Sequence, residues 1–443
     1  MRCCFKTLGC RVNQYESDAM AELMHKAGFE ITDDPAAADI CIVNTCTVTN
    51  IADRKSRQMI SKAHRLNENA KIIVCGCWSQ RYAEKAAKLP GVSAVLGSTE
   101  KAKIVEIVSE ILKKENENEN ENEDNSGKNA EIYVRDVMHV HEFEQMSAVH
   151  EGRVRAYLKI QDGCNMFCTY CAIPYARGAI RSRSLESVRK EAEKLNSEGY
   201  AEVVLTGIHL MSYGKDFKDG TNIADAVKCF DGLNNIKRIR FGSLEPHLMS
   251  DEIIENLAKE KRICRQFHIS LQSGSTGVLD RMHRGYTAEE YFDLTEKLRS
   301  AFGKETAITT DIIAGFPGET DAELEETVEF MKKVKFARVH IFPYSRRSGT
   351  KADAMPGQLT NSEKSERAKQ LIAVGKTLER EYLENYIGKT VDVLIEKTVD
   401  GISEGCTDTY VKVKINEELT PNTIVSVKIK QIREDENGEL SLL

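Results

Sequence analysis

The chain has 443 residues, of which 41% are hydrophobic, and its formal net charge is −7. This length is enough for roughly three domains of about 150 residues. No apolar run approaches the length of a membrane span, so we expect no membrane partner. Thirteen cysteines without an apolar export signal at the N-terminus predict a reducing, cytoplasmic location and argue against a disulfide framework.

The negative charge is concentrated in one segment. Residues 115–125 contain six acids and no base, so the rest of the chain is nearly neutral. The acidic balance therefore does not exclude a nucleic-acid partner, because the folded parts can carry local basic patches.

The first 112 residues alternate between apolar strands and helical patterns. This order predicts an N-terminal α/β domain, residues 1–112, with a small parallel sheet and helices on both faces. The predicted strands are Arg2–Leu8, Asp39–Asn44, Lys71–Cys75 and Ala94–Leu96, and the predicted helices are near Glu16–Ala27, Asp53–Leu66, Tyr82–Leu89 and Lys101–Leu112.

A polar segment of low complexity comes next. Lys113–Lys128 alternates Glu and Asn and then passes through Ser126-Gly127, a composition that cannot bury a core. We therefore predict a disordered connector here and assign residues 113–150 to a linker.

From residue 151 to residue 386 the strand–helix alternation continues with a longer period. Six such units predict an open, partial (β/α)6 barrel, and active sites on such barrels lie at the carboxyl ends of the strands. The predicted strands are Ala156–Gln161, Glu202–Thr206, Arg238–Ser243, Phe267–Gln272, Thr309–Ala314 and Arg338–Pro343, and the predicted helices are near Leu185–Ser197, Ile223–Phe230, Asp251–Ala258, Ala288–Ala301, Ala322–Lys333 and Glu363–Tyr386.

The last segment, residues 387–443, has a β pattern. Short apolar alternations at Thr390–Glu396, Tyr410–Ile415 and Ile424–Ile432 are separated by glycine- and proline-containing turns. They predict a small β-barrel as the third domain, and the whole chain is assigned to the α/β class.

Three cysteines lie within eight residues, just after the first barrel strand. Cys164, Cys168 and Cys171 form a C-x3-C-x2-C run, which supplies one thiolate fewer than an iron–sulfur cube or a tetrahedral zinc ion needs. A zinc site with a distant fourth ligand and a group of buried thiols are the alternatives. The position at a barrel strand end favours a metal centre with one open position.

A second set of three cysteines occurs in the N-terminal domain. Cys10, Cys46 and Cys77 each follow a predicted strand, and the carboxyl ends of parallel strands meet along one edge of a sheet. We therefore predict that these three thiols converge on a second metal cluster with an open iron. Cys75 competes with Cys77, but it falls inside the strand pattern, where a core position is the better interpretation. The remaining cysteines are adequately explained as small buried hydrophobic residues: Cys3, Cys4, Cys41, Cys229, Cys264 and Cys406.

The C-x3-C-x2-C run, with Tyr170 before its last cysteine, resembles that of radical S-adenosylmethionine (SAM) enzymes. That resemblance implies a [4Fe–4S] cluster on Cys164, Cys168 and Cys171, with SAM completing the fourth iron and being cleaved to a 5′-deoxyadenosyl radical. Nearly the whole chain resembles one family within that superfamily, the radical SAM methylthiotransferases, in which Cys10, Cys46 and Cys77 would hold a second [4Fe–4S] cluster. The motifs that carry this resemblance are Gly9-Cys10-Arg11-Val12-Asn13-Gln14-Tyr15-Glu16-Ser17, Asn44-Thr45-Cys46-Thr47-Val48, Gly76-Cys77-Trp78-Ser79-Gln80, Gly315-Phe316-Pro317-Gly318-Glu319-Thr320 and Phe342-Pro343-Tyr344-Ser345.

Four residues at barrel strand ends are candidates for contact with SAM. Gly207 allows close approach of a ligand, although a simple turn would also use glycine. Glu245 is a candidate for the ribose or amino group, with a solvated loop acid as the alternative. Gln272 and Asp311 would surround the reaction chamber. His209 and His268 are predicted to be structural.

Basic residues on the barrel rim and in the third domain are candidates for RNA contact. The rim set would bind phosphates, with a solvated charged rim as the alternative; it contains Arg177, Arg181, Arg183, Arg346 and Arg347. The last domain resembles a TRAM domain, an RNA-binding barrel, although its acids outnumber its bases. Its lysines are spaced two apart, so that each pair would share a strand face: Lys412 with Lys414, and Lys428 with Lys430.

The family resemblance implies transfer of a CH3S group to an unreactive C–H position. Its opening motif is most similar to the branch that modifies N6-threonylcarbamoyladenosine beside the tRNA anticodon. The alternative branches act on isopentenyladenosine in tRNA or on an aspartate of a ribosomal protein. The partners implied are a tRNA anticodon stem-loop, a flavodoxin-like electron donor and a sulfur donor that the sequence does not identify. A different class is an RNA-binding protein with structural zinc sites.

Overall fold

The computed structural model describes residues 1–120, 130–148, 153–436 and 438–443. Its N-terminal domain is a parallel sheet of six strands in the order β2-β1-β3-β4-β5-β6. The strands are β1 (Arg2–Thr7), β2 (Glu30–Thr32), β3 (Ile40–Thr45), β4 (Lys71–Gly76), β5 (Val92–Leu96) and β6 (Glu131–Tyr133). The helices are α1 (Arg11–Lys26), α2 (Asn50–Leu66), α3 (Cys77–Arg81), α4 (Ala83–Ala87) and α5 (Ile104–Asn120).

Strand alternation explains the two apolar layers of this domain. Ile42 and Ile73 face one side of the sheet, where they pack with Met20 of α1, whereas Val43 and Val74 face the other. The four predicted strands and their parallel arrangement are confirmed, and β2 and β6, each three residues long, are additions at the sheet edges.

The structure differs from the prediction at the N-terminal end of the predicted connector. Residues 113–120 continue helix α5, so the prediction of disorder is wrong there. Pairs four residues apart, Glu110 with Lys114 and Lys113 with Glu117, support the additional helical turns. The rest of the predicted disordered stretch, residues 121–128, lies outside the described residues. Strand β6, which sits within the range assigned to the linker, joins the first sheet.

The central domain is the predicted partial barrel. Its strands and helices are β7 (Arg155–Lys159), β8 (Gln161–Asp162), α6 (Ile173–Arg177), β9 (Arg181–Ser182), α7 (Leu185–Ser197), β10 (Glu202–Thr206), α8 (Ile223–Lys228), β11 (Arg238–Phe241), β12 (Ser243–Leu244), α9 (Asp251–Ala258), β13 (Gln266–Ile269), α10 (Thr276–Arg281), α11 (Ala288–Phe302), β14 (Ala307–Ala314), α12 (Asp321–Val334) and β15 (Arg338–Pro343). Short 3-10 turns lie at Lys101–Lys103, Val137–His139, Leu210–Ser212, Pro246–Leu248 and Lys351–Ala354.

The barrel strands run parallel in two sheets, β11-β10-β7 and β12-β13-β14-β15. The chain passes from the first to the second at Gly242, between β11 and β12, so the six predicted strand positions form one curved array. Leu158, Leu205 and Phe267 belong to the largest apolar core, between this array and its helices. The short pair β8 and β9 is antiparallel and closes the segment that carries Cys164–Cys171.

The third domain follows the long helix α13 (Asn361–Glu384). Its strands are β16 (Thr390–Val399), β17 (Ile402–Thr407), β18 (Lys412–Ile415), β19 (Ile424–Lys428), β20 (Ile432–Glu434) and β21 (Leu440–Leu442). They form one mostly antiparallel sheet in the order β19-β16-β17-β18-β21-β20, around a small core that includes Val393 and Val413. The predicted β-rich domain is confirmed, and its likeness to a TRAM domain remains a prediction.

Candidate active site at the domain junction

The three N-terminal cysteines lie along the carboxyl-end edge of the first sheet, and their convergence on one cluster stays a prediction. Cys46 and Cys77 directly follow β3 and β4, and Cys10 lies three residues after the end of β1; the three strands are neighbours in the sheet. A Cβ atom added to Gly9 would lie 3.1 Å from the Cys46 Sγ atom. Burial raises the pKa of the Cys46 thiol to about 12, and the negative charges of Cys77 and Cys10 add to that increase. Cys75 lies in the core, as predicted.

Two of these cysteines follow glycines that no other residue could replace without strain. Gly9 has φ +109° and Gly76 has φ +102°. A Cβ atom on Gly76 would lie 2.5 Å from both the Asn44 Oδ1 atom and the Thr45 carbonyl oxygen. Positive φ and these close contacts let the chain turn sharply from strand to cysteine.

Asn13 joins the turns that carry the cysteines. Its side-chain amide donates to the Leu8 carbonyl at 2.8 Å and to the Thr45 carbonyl at 3.0 Å, just before Cys10 and Cys46. Its Oδ1 atom accepts a hydrogen bond from Arg177 of the barrel domain at 2.6 Å. Asn13 belongs to the opening motif, but the sequence did not predict this role for it. A polar residue on the buried face of α1 is the feature that could have indicated the role.

The second cysteine set lies on a loop with a constrained backbone. The Cys164 amide donates to the Gly178 carbonyl at 3.0 Å, and the Cys171 amide donates to the Cys168 carbonyl at 2.9 Å. Phe167 has φ +47°, which is unusual outside glycine. Burial, followed by the charge of Cys168, raises the pKa of the Cys171 thiol to about 12. The predicted strand-end position of this loop is confirmed.

Both cysteine sets suit a [4Fe–4S] cluster in their donor chemistry. Each brings three soft thiolates, and each has a buried arginine whose N–H groups donate to a cysteine sulfur: Arg177 to Cys77 at 3.1 Å and Arg284 to Cys168 at 3.2 Å. Hydrogen bonds and positive charge at the sulfurs compensate clustered thiolates. Within the part of the chain that the structure describes, no three His, Cys, Asp or Glu side chains are arranged to hold one metal ion.

Arg284 was missed by sequence reasoning. Its guanidinium is buried, contacts the Glu245 carboxylate, and donates to the Ser270 carbonyl at 3.2 Å as well as to Cys168. Burial raises the pKa of Glu245 to about 7, and the positive charge of Arg284 opposes that increase. Glu245 is therefore a buried carboxylate beside the cysteine loop, and the alternative of a solvated loop acid is wrong.

Of the other predicted strand-end residues, Gly207 lines the cavity between the three domains, whereas Gln272 and Asp311 lie outside its described lining. Gly207 follows β10, and a Cβ atom there would lie 2.9 Å from Gln161, so close packing alone explains the glycine. Gln272 lies three residues after β13 and has a strained φ of +78°. Backbone hydrogen bonds to Asp311 and Ile313 of β14 hold it in this conformation. The Asp311 carboxylate lies 3.3 Å from the His268 Nε2 atom.

His209 has the structural setting that was predicted. It is buried and shares a hydrogen bond of 2.6 Å between its Nδ1 atom and the Ser212 hydroxyl. Burial lowers the pKa of His209 to about 3, so this ring is neutral near neutral pH. The His268 ring shares a hydrogen bond of 3.1 Å with the Thr309 hydroxyl, and His268 also lines the cavity between the three domains.

The predicted arginine rim is wrong for four of its five members. Arg177, Arg181, Arg183 and Arg347 are buried, whereas Arg346 is exposed and pairs with Asp353 at 2.8 Å. Their position after a loop predicted a surface location, but Arg177, Arg183 and Arg347 meet acceptors from the N-terminal domain, and Arg181 lies 3.6 Å from Asp162 on the neighbouring strand β8.

Arg347 and Arg183 both reach the N-terminal domain. Arg347 donates to the Thr47 hydroxyl at 2.6 Å and lies 2.9 Å from the Asp53 carboxylate, next to Cys46. Arg183 donates to the Tyr15 hydroxyl at 3.2 Å. These arginines therefore join domains rather than face solvent.

Arg177 sits in a fully buried cluster of charges between the first two domains. The Glu16 carboxylate of α1 accepts bonds from Arg177, Lys101 and Lys159, the last at 2.7 Å. Lys159 also donates to Asp162 at 2.6 Å. Arg177 ends helix α6, which follows Cys171 in the chain, and it donates to Cys77, so this cluster joins the N-terminal cysteine turn to the helix after the second cysteine set.

A cavity of about 530 Å³ opens where the three domains meet. Cys10 and Arg11 line it from the N-terminal domain, Gly207 and His268 from the barrel, and Tyr410 from the third domain. One of the proposed cluster ligands therefore faces the same chamber as the interior of the barrel.

The lysines of the third domain alternate with buried residues, as predicted. Lys412 and Lys414 flank buried Val413, and Lys428 and Lys430 flank buried Ile429. Acids neutralise the first pair, because Lys412 lies 2.7 Å from Glu439 and Lys414 lies 3.3 Å from Glu404.

Comparison with known proteins agrees with this arrangement. Residues 158–331 match the radical SAM superfamily, and residues 2–97 match a family described as uncharacterized protein family UPF0004. The central domain is therefore that of a radical SAM enzyme, a class that uses SAM and a [4Fe–4S] cluster.

Relatives extend the match over nearly the whole chain. A threonylcarbamoyladenosine tRNA methylthiotransferase of Bacillus subtilis is 41% identical over 96% of this chain and 93% of its own length. One from Thermotoga maritima is 39% identical over 97% and 94%. A tRNA-2-methylthio-N(6)-dimethylallyladenosine synthase of Pelotomaculum thermopropionicum is 33% identical over 88% and 86%. The chain belongs to the radical SAM methylthiotransferase family, which decides for an enzyme and against the structural-zinc alternative.

Solved structures share the fold at low identity. The radical SAM methyltransferase TsrM of Kitasatospora setae has a TM-score of 0.58 and 17% identity, covering 80% of this chain and 77% of its own. The cobalamin-dependent enzyme OxsB has a TM-score of 0.50 and 13% identity, covering 87% and 56%. Among the described residues, no helix is both long and apolar enough to span a membrane.

Proposed function

We propose that this enzyme converts N6-threonylcarbamoyladenosine, next to the tRNA anticodon, to its 2-methylthio derivative. Four relatives that are 34–41% identical carry the name threonylcarbamoyladenosine tRNA methylthiotransferase. The opening motif Gly9–Ser17 is most similar to that branch.

One observation supports the proposal: Arg177, on the helix that follows the second cysteine set, donates a hydrogen bond to Cys77 of the first set. Cys10 also lines the cavity that the barrel and the third domain enclose. An enzyme that only generated radicals would need a single set. A second set beside the substrate chamber supports delivery of sulfur.

We assign the cofactor sites on the same basis. Cys164, Cys168 and Cys171 would hold the cluster of the superfamily, and Cys10, Cys46 and Cys77 would hold a second [4Fe–4S] cluster. When bound, the first supplies an electron that cleaves SAM, and the second supplies an attachment point for sulfur.

The chain's own residues would then orient SAM. Buried Glu245, fixed by Arg284, would accept hydrogen bonds from the ribose or amino group. Gln272, held in a strained backbone, and Asp311 would face the cofactor from neighbouring strands, and Gly207 would leave room for it.

The remaining partners follow from this function. A tRNA anticodon stem-loop would enter at the cavity mouth, and Lys428 and Lys430, which are exposed on the third domain, would contact its phosphates. A flavodoxin-like reductant in the cytoplasm would supply electrons.

The test is anaerobic incubation of the reconstituted enzyme with SAM, dithionite and sulfide. Three anticodon stem-loops are compared, which carry threonylcarbamoyladenosine, isopentenyladenosine or unmodified adenosine, and the nucleosides are analysed by mass spectrometry. We expect 2-methylthio product on the first RNA only. A Cys229→Ala variant, changed at a half-buried cysteine outside both sets, serves as the control and should keep this activity.

Two outcomes would contradict the proposal. Product on the isopentenyladenosine RNA alone would assign the enzyme to the other tRNA branch. SAM cleavage without product on any of the RNAs would reject tRNA as the substrate.

A further inference from the structure

Arg11 is a cation without a protein partner inside the domain-junction cavity. It follows Cys10 directly, begins helix α1 and is partly exposed. Among the described residues, its guanidinium makes no hydrogen bond or ion pair; it lies 5.8 Å from the centroid of the Tyr410 ring, and its charge acts on His340 of the same cavity wall.

The other cations of the cavity wall already face acids. Lys412 lies 2.7 Å from Glu439, and Arg338 lies 3.6 Å from Glu439 and 3.8 Å from Glu379. Arg11 is thus the arginine or lysine of the described cavity wall whose charge is free for a ligand. An unpaired guanidinium in a partly enclosed site favours an anion with two acceptor oxygens.

Tyr410, which lines the cavity from the third domain, is held in place by its neighbours. Its φ of +67° is a strained value for an aromatic residue. Arg155 and Arg240 lie over its ring at 4.8 Å and 4.6 Å from the centroid, and Arg155 donates to its hydroxyl at 3.3 Å. The ring therefore has a fixed place in the cavity wall, 5.8 Å from the Arg11 guanidinium carbon.

We propose that Arg11 binds the carboxylate of the threonylcarbamoyl group and so selects this nucleoside over the isopentenyl one. The inference rests on the proposed function, because it concerns the substrate of the same site. The threonylcarbamoyl group ends in a carboxylate, whereas the isopentenyl group is apolar and offers nothing to a guanidinium. An unpaired cation in the pocket would also disfavour the apolar group, since its water would be removed without replacement.

The test compares Arg11→Gln and Arg11→Lys with the wild-type holoenzyme. The substrates are stem-loops with threonylcarbamoyladenosine and with its methyl ester, which removes the negative charge. Affinity is measured by fluorescence anisotropy, and methylthiolation by single-turnover mass spectrometry. Arg57→Gln, at an exposed arginine of helix α2, controls for a general loss of positive charge.

For wild-type enzyme, we expect the ester to bind about 10- to 100-fold more weakly than the acid, the range for a hydrogen bond to a charged group. Arg11→Gln should bind acid and ester equally, at the level of the ester on wild type. Arg11→Lys should recover part of the difference. Iron content and 5′-deoxyadenosine formation without RNA should be unchanged.

The outcomes separate this inference from the proposed function. If wild-type enzyme modifies the acid and Arg11→Gln binds and modifies it equally well, the role of Arg11 is refuted. The same holds if Arg57→Gln weakens binding of the acid as much as Arg11→Gln does. If wild-type enzyme does not modify the acid at all, the proposed function itself fails.

Discussion

Replacing Glu16 with Gln should destabilise the N-terminal domain strongly, because Glu16 neutralises three buried cations. Lys101, Lys159 and Arg177 all donate to its carboxylate, and each of these side chains is at most 1% exposed. Lys159 and Arg177 keep Asp162 as a second acid, whereas among the described residues Lys101 forms an ion pair with Glu16 alone. Removing one partner of a buried ion pair costs about 3–5 kcal/mol. Since glutamine can still accept one hydrogen bond, we expect about 3 kcal/mol.

The assay uses the chain's single tryptophan. Trp78 is buried directly beside Cys77, so its emission during urea denaturation reports on the N-terminal domain. Cluster-free protein with reduced thiols is compared at equal concentration. The matched control is Glu22→Gln on the same helix, where Glu22 pairs with Lys26 at the surface at 2.8 Å. A surface pair of this kind contributes at most about 0.5 kcal/mol.

The pH dependence gives a second readout of the same substitution. Burial would raise the pKa of Glu16, but Arg177, Lys101 and Lys159 together hold it well below its ordinary value of 4.5. A depressed folded-state pKa gives stability that is complete above the unfolded value and is lost as pH falls through the folded value. The difference between wild type and Glu16→Gln should therefore be constant from about pH 6 to pH 8 and should shrink below about pH 4.5. Equal midpoints for Glu16→Gln and Glu22→Gln at pH 7 would refute this reasoning.

Other substitutions separate the two cysteine sets and test the turns that carry them. Cys168→Ala should abolish 5′-deoxyadenosine formation while about half of the bound iron remains; continued cleavage of SAM would contradict its assignment. Cys46→Ala should keep SAM cleavage but form no methylthiolated product, as measured on the same tRNA, and normal product would exclude the second cluster site. Gly76→Ala should lower the stability reported by Trp78 by about 2 kcal/mol or more, because its Cβ atom would meet oxygen atoms at 2.5 Å. Gly28 has a similar φ of +91°, but a Cβ atom there would meet nothing within 4 Å, so Gly28→Ala measures the backbone strain without the clash. An equal loss of stability in the two variants would contradict the packing argument.

Much of the fold could be predicted because it depends on short periodic patterns. The parallel strands of the first sheet and the six barrel strands follow from apolar runs separated by helical segments, and the structure places them within a few residues of the predicted bounds. Helix α5 runs past the predicted boundary, because i,i+4 ion pairs stabilise a Glu- and Lys-containing end that composition alone indicated as disordered. Strands β2 and β6 are too short to give a pattern.

The sequence allowed the cysteines of the candidate site to be predicted, but not the positions of its arginines. Cys10, Cys46 and Cys77 could be selected because parallel strands bring successive carboxyl ends to one edge, which is a property of topology. Arg177 was interpreted as a surface residue, since its acceptor Glu16 lies 161 residues away and nothing in the local sequence indicates that pairing. Arg284 was missed for the same reason, because Cys168 lies 116 residues before it.

The sequence by itself therefore determined the class of chemistry, through two sets of three thiols that each follow parallel strands. Only the tertiary structure decided how those sets are joined. Buried carboxylates and sulfurs draw arginines out of solvent, because an unpaired charge in the interior is far more costly than a paired one. That requirement places Arg177 and Arg347 between domains and Arg284 inside the barrel beside Cys168, and among the described residues it leaves Arg11 beside Cys10 without an ion pair.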